Sequence, residues 1–164
     1  EIFSIGHRNP QGLALHPSTG TLWSHEHGPR GGDEINIITA GDNYGWPTVS
    51  HGREYIGGTI GIGTSAPGLA DPAWVWTPSI APSGMAFYQG AMFPLFDGHL
   101  LVGSLKFKRL YLVKLASDSP QEEFIILENT IGRVRDVAVA PDGAILLLSD
   151  ESDGGLYRLF EAGQ

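Results

Sequence analysis

Residues 136–147 have the sequence DVAVAPDGAILL, in which a Pro-Asp-Gly turn signal separates two short apolar runs. Proline presets φ in a turn and glycine accepts a positive φ, so the stretch predicts a strand, a tight turn and a second strand. A related pattern, GLALHPSTGTLW, occupies residues 12–23. A third copy begins with GMAFY at residues 84–88 and is completed, after a longer connection, by LLVGSL at residues 100–105. The chain therefore contains three related, strand-rich repeats.

Further short apolar runs predict additional strands around each repeat, and no segment predicts a convincing amphipathic helix. These runs are residues 35–38, 74–76, 110–115, 124–127 and 156–159. Three repeats in 164 residues give about 55 residues each, close to the length of a β-propeller blade, which is a four-stranded sheet. We therefore predict an all-β fold of about three propeller blades, with a β-sandwich as the alternative that the strand pattern alone leaves open.

The composition excludes several classes of function. The chain has 10 Lys and Arg against 18 Asp and Glu, a net charge of −8, and no long basic run, which argues against a nucleic-acid partner. It has no Cys, so it has neither disulfides nor thiolate metal sites. No apolar run is long enough to span a membrane. The first residue is not Met, and residues 2–5 alternate like a strand already under way, so we expect the chain to begin inside a longer protein.

Polar side chains cluster just before the first repeat, in the sequence GHRNPQG at residues 6–12. Arg8, Asn9 and Gln11 would present one fixed cation and two amide groups at a strand end. Arginine is the side chain best suited to bidentate recognition of a carboxylate. The alternative is a turn whose amides satisfy neighbouring backbone groups.

A second cluster, HEHGPRGGDE at residues 25–34, follows the second strand of that repeat. A tight turn at Gly28 and Pro29 leaves backbone carbonyls exposed, and Asp33 and Glu34 add hard oxygen ligands. This set suits calcium better than a transition metal. A solvated acidic turn is the alternative.

Two cationic clusters lie in the second half of the chain, SLKFKR at residues 104–109 and GRVRD at residues 132–136. Alternation along a strand would place Lys106 with Lys108, and Arg133 with Arg135, on shared faces. Corresponding strand ends of a propeller converge on one face, so we expect these cations and Arg8 to surround one anion. Solvated strand ends are the alternative. We assign no role to the acidic loop DESDG at residues 150–154.

Six motifs, in order along nearly the whole chain, resemble the soluble quinoprotein glucose/sorbosone dehydrogenase family, most closely its bacterial aldose sugar dehydrogenases. They are residues 6–12, 26–29, 31–34, 43–47, 83–88 and 133–137. The resemblance implies a six-bladed propeller, of which residues 1–164 would be a partial domain of about three blades, the C-terminal half. It also implies oxidation of the anomeric carbon of aldoses to lactones with pyrroloquinoline quinone (PQQ) and calcium (Ca²⁺).

The resemblance also implies roles for particular residues. The carbonyls of Gly28 and Pro29 would bind the calcium that polarises the cofactor, and Glu34 and Tyr44 match a second, structural calcium site. Gln11 would lie near the active site. The residues matching cofactor contacts are Arg8, Asn9, Tyr55, Lys106, Lys108, Arg133 and Arg135.

In the family the catalytic general base is a His from an earlier blade, and none of the six His in this chain matches it. We therefore expect the base in a missing N-terminal part and little or no turnover by the isolated chain. The implied partners are an aldose sugar and the missing half, or a second copy, that would close the ring. The implied location is periplasmic or secreted. A non-catalytic binding module remains the alternative. A propeller hydrolase is ranked last, because it would need side-chain metal ligands at the axis, where this sequence offers Arg and Lys instead.

Overall fold

A computed structural model describes residues 1–162 of the chain. Within that range the regular structure consists of β-strands and one short 3-10 helix, Pro94–Phe96, and no helix is long and apolar enough to cross a membrane. The all-β prediction is confirmed. The strands are β1 Pro10–Leu15, β2 Leu22–Glu26, β3 Asp33–Ile38, β4 Trp74–Trp76, β5 Pro82–Phe87, β6 Leu100–Ser104, β7 Arg109–Ala116, β8 Ser119–Glu128, β9 Val134–Val139, β10 Ile145–Ser149 and β11 Leu156–Leu159.

The strands form three antiparallel sheets, each made of strands consecutive in the sequence. The first has the order β1-β2-β3-β4, the second β5-β6-β7-β8, and the third β9-β10-β11. Each predicted repeat supplies the first two strands of one sheet. The predicted strand-turn-strand at residues 136–147 is the β9–β10 hairpin, in which Val139 pairs with Ile145.

The chain divides into two compact units, the first ending at Pro82 and the second beginning at Ser83. The first unit contains the first sheet, whose buried side chains include Trp23, Ile35 and Trp76. β3 ends at residue 38 and β4 begins at residue 74, so a loop of residues 39–73 connects them. This loop includes the Gly-rich segment 57–71. The ends of β1 and β2 carry the first two polar clusters.

The second unit packs its two sheets over one apolar core. The core is formed by Tyr88, Leu101, Leu110, Leu112, Val134, Val137, Ile145 and Leu147, all buried. Glycine allows the close approach of the sheets. A Cβ at Gly84 would lie 2.5 Å from Cα of Asp136, and one at Gly103 would lie 2.9 Å from Cγ1 of Val134.

Two local predictions from strand alternation are wrong. Residues 105–108 form a turn between β6 and β7, with Lys108 at φ 55°, so alternation does not place Lys106 and Lys108 on one strand face. Before β1, residues 2–5 do not form a regular strand, and Ile5 makes only an isolated bridge to Asn43. In both places a turn or irregular backbone breaks the period-2 pattern on which the prediction rested.

Candidate functional site

Arg8 is fixed at both its backbone and its side chain. Its N–H donates to Oε2 of Glu26 at 2.5 Å, and Nη1 donates to the carbonyls of His27 at 2.9 Å and Gly28 at 3.2 Å. The guanidinium carbon lies 5.3 Å from the ring centroid of Trp46, a cation–π distance. A long, flexible side chain is thus held in one orientation by three different groups.

Asn9 and Gln11 lie beside Arg8 at the start of β1. The Asn9 N–H donates to Oε2 of Glu26 at 3.1 Å, and the Asn9 carbonyl accepts the N–H of His27 at 3.0 Å. Nε2 of Gln11 donates to Oδ1 of Asn9 at 2.9 Å. Both side chains are exposed. The structure therefore brings Arg8, Asn9 and Gln11 together at one strand end.

Glu26 ends β2 and is only 5% exposed. In addition to the two backbone N–H groups, its carboxylate contacts Nδ1 of His7 at 3.2 Å and Nδ2 of Asn36 at 3.1 Å, both through Oε1. The His7 ring stacks on Tyr44 with a centroid distance of 4.7 Å. The buried Glu26 carboxylate thus contacts three residues of the 6–12 motif, and one of them, His7, stacks on Tyr44 of the 43–47 motif.

The turn after β2 is held by Asp33, which is 1% exposed. Oδ1 of Asp33 accepts the Gly28 N–H at 2.9 Å and the Ser79 hydroxyl at 2.8 Å, and Oδ2 accepts the Ala81 N–H at 2.8 Å. Both Asp33 oxygens therefore support the turn. Gly28 is required there, because a Cβ would lie 2.3 Å from the Gly31 carbonyl oxygen.

Glu34 lies directly across from Glu26 in the β2–β3 register. Burial, followed by the charge of Glu26, raises the pKa of Glu34 from its ordinary 4.5 to about 7. The Tyr44 hydroxyl donates to the carbonyl of Ile37 at 2.6 Å and accepts the N–H of Thr39 at 2.9 Å. Burial raises the pKa of Tyr44 as well.

Four of the predicted site residues line one cavity in the first unit, shared with Glu26 and Trp46. The four are Arg8, Gly28, Glu34 and Tyr44. Over residues 1–162 no group of three or more His, Cys, Asp or Glu side chains is arranged to hold a metal ion. Calcium commonly takes backbone carbonyls among its ligands, as the prediction for Gly28 and Pro29 requires.

In the second unit, Arg133 and Arg135 converge on one carboxylate oxygen. Oδ2 of Asp150 lies 3.0 Å from Nη2 of Arg133 and 2.7 Å from Nη2 of Arg135. The backbone N–H of Arg133 donates to Oε1 of Glu151 at 2.9 Å. The two arginine side chains thus contact the same oxygen atom. Their partners, Asp150 and Glu151, come from the acidic loop 150–154, for which the sequence indicated no role.

The other predicted cofactor residues are exposed. Tyr55 is 67% exposed on the 39–73 loop. Lys106 and Lys108 are exposed in the β6–β7 turn, where Nζ of Lys106 lies 5.0 Å from the ring centroid of Phe107.

Two acidic residues that contact the predicted site residues, Glu26 and Asp150, were not predicted as site residues from the sequence. The only sequence signal for Glu26 is its position inside the second polar cluster, since its burial is seen only in the structure. The pairing of Asp150 with Arg133 and Arg135 joins residues 15 to 17 positions apart across a hairpin end, and its only sequence signal is the opposite charge of the two clusters.

The curated relatives of this chain include two dehydrogenases. It is 44% identical to the aldose sugar dehydrogenase YliI of Escherichia coli over 161 residues, covering 97% of this chain and 43% of the relative. It is 28% identical to quinoprotein glucose dehydrogenase B of Acinetobacter calcoaceticus over 211 residues, covering 96% of this chain and 44% of the relative. The chain thus spans less than half the length of these curated relatives.

Several solved structures share its fold, and they include two dehydrogenases. A crystal structure of a glucose dehydrogenase matches with a TM-score of 0.95 and 45% identity, covering 99% of this chain and 47% of that one. The PQQ-bound aldose sugar dehydrogenase of Streptomyces coelicolor matches with a TM-score of 0.75 and 27% identity, covering 97% of this chain and 45% of that one. The prediction of about three blades of a six-bladed β-propeller is confirmed.

The family model for glucose/sorbosone dehydrogenases matches residues 1–158, nearly the whole chain. The resemblance predicted from six short motifs therefore extends across all three sheets. The chain belongs to the glucose/sorbosone dehydrogenase family.

Proposed function

We propose that the full-length protein oxidises the anomeric carbon of an aldose to a lactone with PQQ and calcium, and that this chain supplies contacts to both. The observation that carries the proposal is the match, over 97% of the chain, to a relative solved with PQQ bound. The 44% identity to an aldose sugar dehydrogenase supports the choice of substrate class. We further propose a periplasmic or secreted location.

When bound, PQQ would supply a two-electron acceptor for oxidation of the sugar, and calcium would supply a Lewis acid. The residues of this chain would bind and orient the cofactor. PQQ carries three carboxylates, for which Arg forks and Lys charges are suitable partners. We assign this binding to Arg8, Asn9, Tyr55, Lys106, Lys108, Arg133 and Arg135, with Gln11 nearby at the active site.

The second unit supports this assignment by its donor chemistry. Arg133 and Arg135 already converge on one carboxylate oxygen, that of Asp150. Their spacing therefore suits a carboxylate ligand. In the first unit, the Arg8 guanidinium is fixed against Trp46, so little side-chain entropy would be lost when it binds an anion.

The residues proposed for calcium supply oxygen donors of the right kind. Gly28 and Pro29 would bind through their carbonyls at a turn that Asp33 holds in shape through the Gly28 N–H. At the second site, Glu34 would contribute a carboxylate whose charge is disfavoured without a cation, as its raised pKa indicates. Tyr44 is the other residue assigned to this site, and its hydroxyl donates to the Ile37 carbonyl and accepts the Thr39 N–H.

We propose that the general base comes from residues outside this sequence, because none of the six His matches the family's base position. The isolated chain would then bind ligands without turning over a sugar. A non-catalytic binding module is the alternative proposal, and it predicts calcium binding without PQQ binding.

The test is titration of the full-length protein with PQQ, with calcium and after chelation, following the cofactor's absorbance. The proposal expects calcium-dependent binding that weakens by about tenfold or more in Arg8→Ala and Arg133→Ala, because each loses a charge-assisted contact. Arg158→Ala is the matched control, since Arg158 pairs with Asp142 at the surface.

Binding should be accompanied by aldose oxidation with an artificial electron acceptor. A folded protein that binds calcium but neither binds PQQ nor oxidises any aldose would overturn the proposal in favour of the binding module. Unchanged PQQ affinity in both arginine variants would show that the assigned residues are wrong.

A further inference from the structure

Glu26 is a buried acidic residue whose position the proposed reaction does not by itself explain. It ends β2 with 5% of its surface exposed, and it faces Glu34 across the β2–β3 register. Burying a carboxylate beside another acid costs free energy unless donors surround it. A less costly residue, such as Leu or Val, would fit a strand end whose only role is packing.

Each oxygen of the Glu26 carboxylate has its own set of hydrogen-bond partners. Oε2 accepts the backbone N–H groups of Arg8 at 2.5 Å and Asn9 at 3.1 Å. Oε1 contacts Nδ1 of His7 at 3.2 Å and Nδ2 of Asn36 at 3.1 Å. Two consecutive N–H groups directed at one oxygen fix two consecutive peptide planes, and with them the directions in which the Arg8 and Asn9 side chains leave the backbone.

The side chain of Arg8 is directed elsewhere. Its guanidinium donates to the carbonyls of His27 and Gly28 and stacks on Trp46. Glu26 therefore acts on Arg8 through the main chain, while the guanidinium keeps a separate set of contacts. This division would let a carboxylate set the geometry of an anion-binding arginine without neutralising it in a direct ion pair.

We infer that Glu26 is a positioning residue that presents Arg8 and Asn9 to the carboxylates of the cofactor. The inference rests on the proposed function, and it adds to it a residue that makes no cofactor contact itself. It predicts that loss of the carboxylate weakens PQQ binding through Arg8.

The test uses the full-length protein with Glu26→Ala, Glu26→Gln and the matched surface control Asp142→Ala. We expect Glu26→Ala to weaken PQQ binding by about tenfold to a hundredfold, as loss of supporting hydrogen bonds typically does. Glu26→Gln should retain more affinity, because its amide oxygen still accepts the Arg8 and Asn9 N–H groups. If Glu26→Ala does not fold, the comparison of wild type with Glu26→Gln decides the inference, which then expects a weaker but measurable affinity.

Two measurements distinguish positioning of Arg8 and Asn9 by Glu26 from a general contribution of Glu26 to stability. Without cofactor, hydrogen exchange at the Arg8 and Asn9 amides should accelerate in Glu26→Ala and not in Asp142→Ala. In a double-mutant cycle, Glu26→Ala should cost much less PQQ affinity in an Arg8→Ala background, since coupled residues are non-additive.

The outcomes are distinguishable. A wild type that binds no PQQ overturns the proposed function and this inference with it. A wild type that binds PQQ overturns the inference alone if the Glu26 variants bind equally well, or if the Glu26 and Arg8 effects add fully.

Discussion

The guanidinium of Arg135 lies 2.7 Å from Oδ2 of Asp150. Arg133 reaches the same oxygen at 3.0 Å. The Asp150 carboxylate therefore pairs with both of these arginines, which we assign to cofactor binding. All three side chains are partly exposed, so the pairs contribute little to stability, about 1 kcal/mol or less. Their larger effect is on the local charge that an anionic ligand meets.

Asp150→Asn should strengthen PQQ binding by a few-fold, up to about tenfold, because the two arginines lose a competing carboxylate while keeping a neutral acceptor. The gain should shrink with added salt, since salt screens exposed charges. Titrations at two salt concentrations would measure both effects. Weaker binding would show instead that Asp150 holds the arginines in place.

Asp142→Asn is the control for that experiment. It removes a carboxylate that pairs with Arg158 elsewhere on the surface. Its PQQ affinity should match wild type. A similar gain in both variants would mean that net charge alone, and not the shared oxygen of Asp150, explains the result.

Gly28→Ala should destabilise the first unit by about 1–3 kcal/mol, because its Cβ would lie 2.3 Å from the carbonyl oxygens of Gly31 and Gly32. The turn must move to relieve this overlap, so calcium affinity should also fall by about tenfold or more. Urea unfolding followed by Trp fluorescence reports on this unit, which contains all four Trp. Calorimetric titration measures the calcium affinity.

Gly20→Ala is a control that separates loss of stability from loss of calcium affinity. Gly20 has φ 69° but nothing lies within 4 Å of its Cβ position, so the change adds only left-handed strain, about 1–2 kcal/mol. Calcium affinity should stay unchanged in this variant. Calcium binding that survives in Gly28→Ala would contradict the assignment of the Gly28 carbonyl.

Most of the fold could be predicted because its signals are local. The apolar runs and the Pro-Asp-Gly turn at residues 136–147 specify the β9–β10 hairpin within a few positions. Turns with positive φ at non-glycine residues could not be predicted in this way. Lys108, at φ 55°, ends the alternation that the SLKFKR sequence suggests.

The site was only partly predictable, because its contacts join distant positions. Residue types and motif order identified Arg8 and Gly28 as candidates. The hydrogen bonds from the Arg8 and Asn9 backbone to Glu26 depend on the β1–β2 pairing, which the sequence does not specify at atomic level. The carboxylate type of Asp33 could be read from the sequence, but no sequence pattern marks the N–H and O–H groups that donate to it in the turn.

Tyr88→Phe should destabilise the second unit by about 1–3 kcal/mol, because two backbone groups lose the buried hydroxyl that pairs with them. The Tyr88 hydroxyl donates to the Gly143 carbonyl at 2.7 Å and accepts the Phe93 N–H at 3.0 Å, and the side chain is fully buried. Urea unfolding followed by circular dichroism suits this unit, which has no Trp. Tyr157→Phe, at a 41% exposed position, should change stability by less than about 0.5 kcal/mol. Equal effects in both variants would rule out the buried hydroxyl as the cause.

His99 should make the second unit less stable as the pH falls. Burial, and then the charge of Lys114, lower the pKa of His99 below its ordinary 6.5, while Asp97 acts in the opposite direction. Nδ1 also accepts the Leu115 N–H at 3.3 Å, which a protonated ring could not do. Below pH 6.5 the unfolded chain therefore binds the proton more readily than the folded chain, and the free energy of unfolding falls as the pH decreases.

His99→Gln keeps an acceptor for the Leu115 N–H and removes the titration. Urea unfolding from about pH 5.5 to 7.5, above the range in which most carboxylates titrate, should give a flatter pH dependence for this variant than for wild type. Relative to His99→Gln, wild type should gain stability toward the upper end of the range, where His99 is neutral. Parallel pH profiles for the two proteins would show that protonation of His99 does not lower the free energy of unfolding. The contact between the Leu115 N–H and the His99 ring would then persist when the ring is protonated.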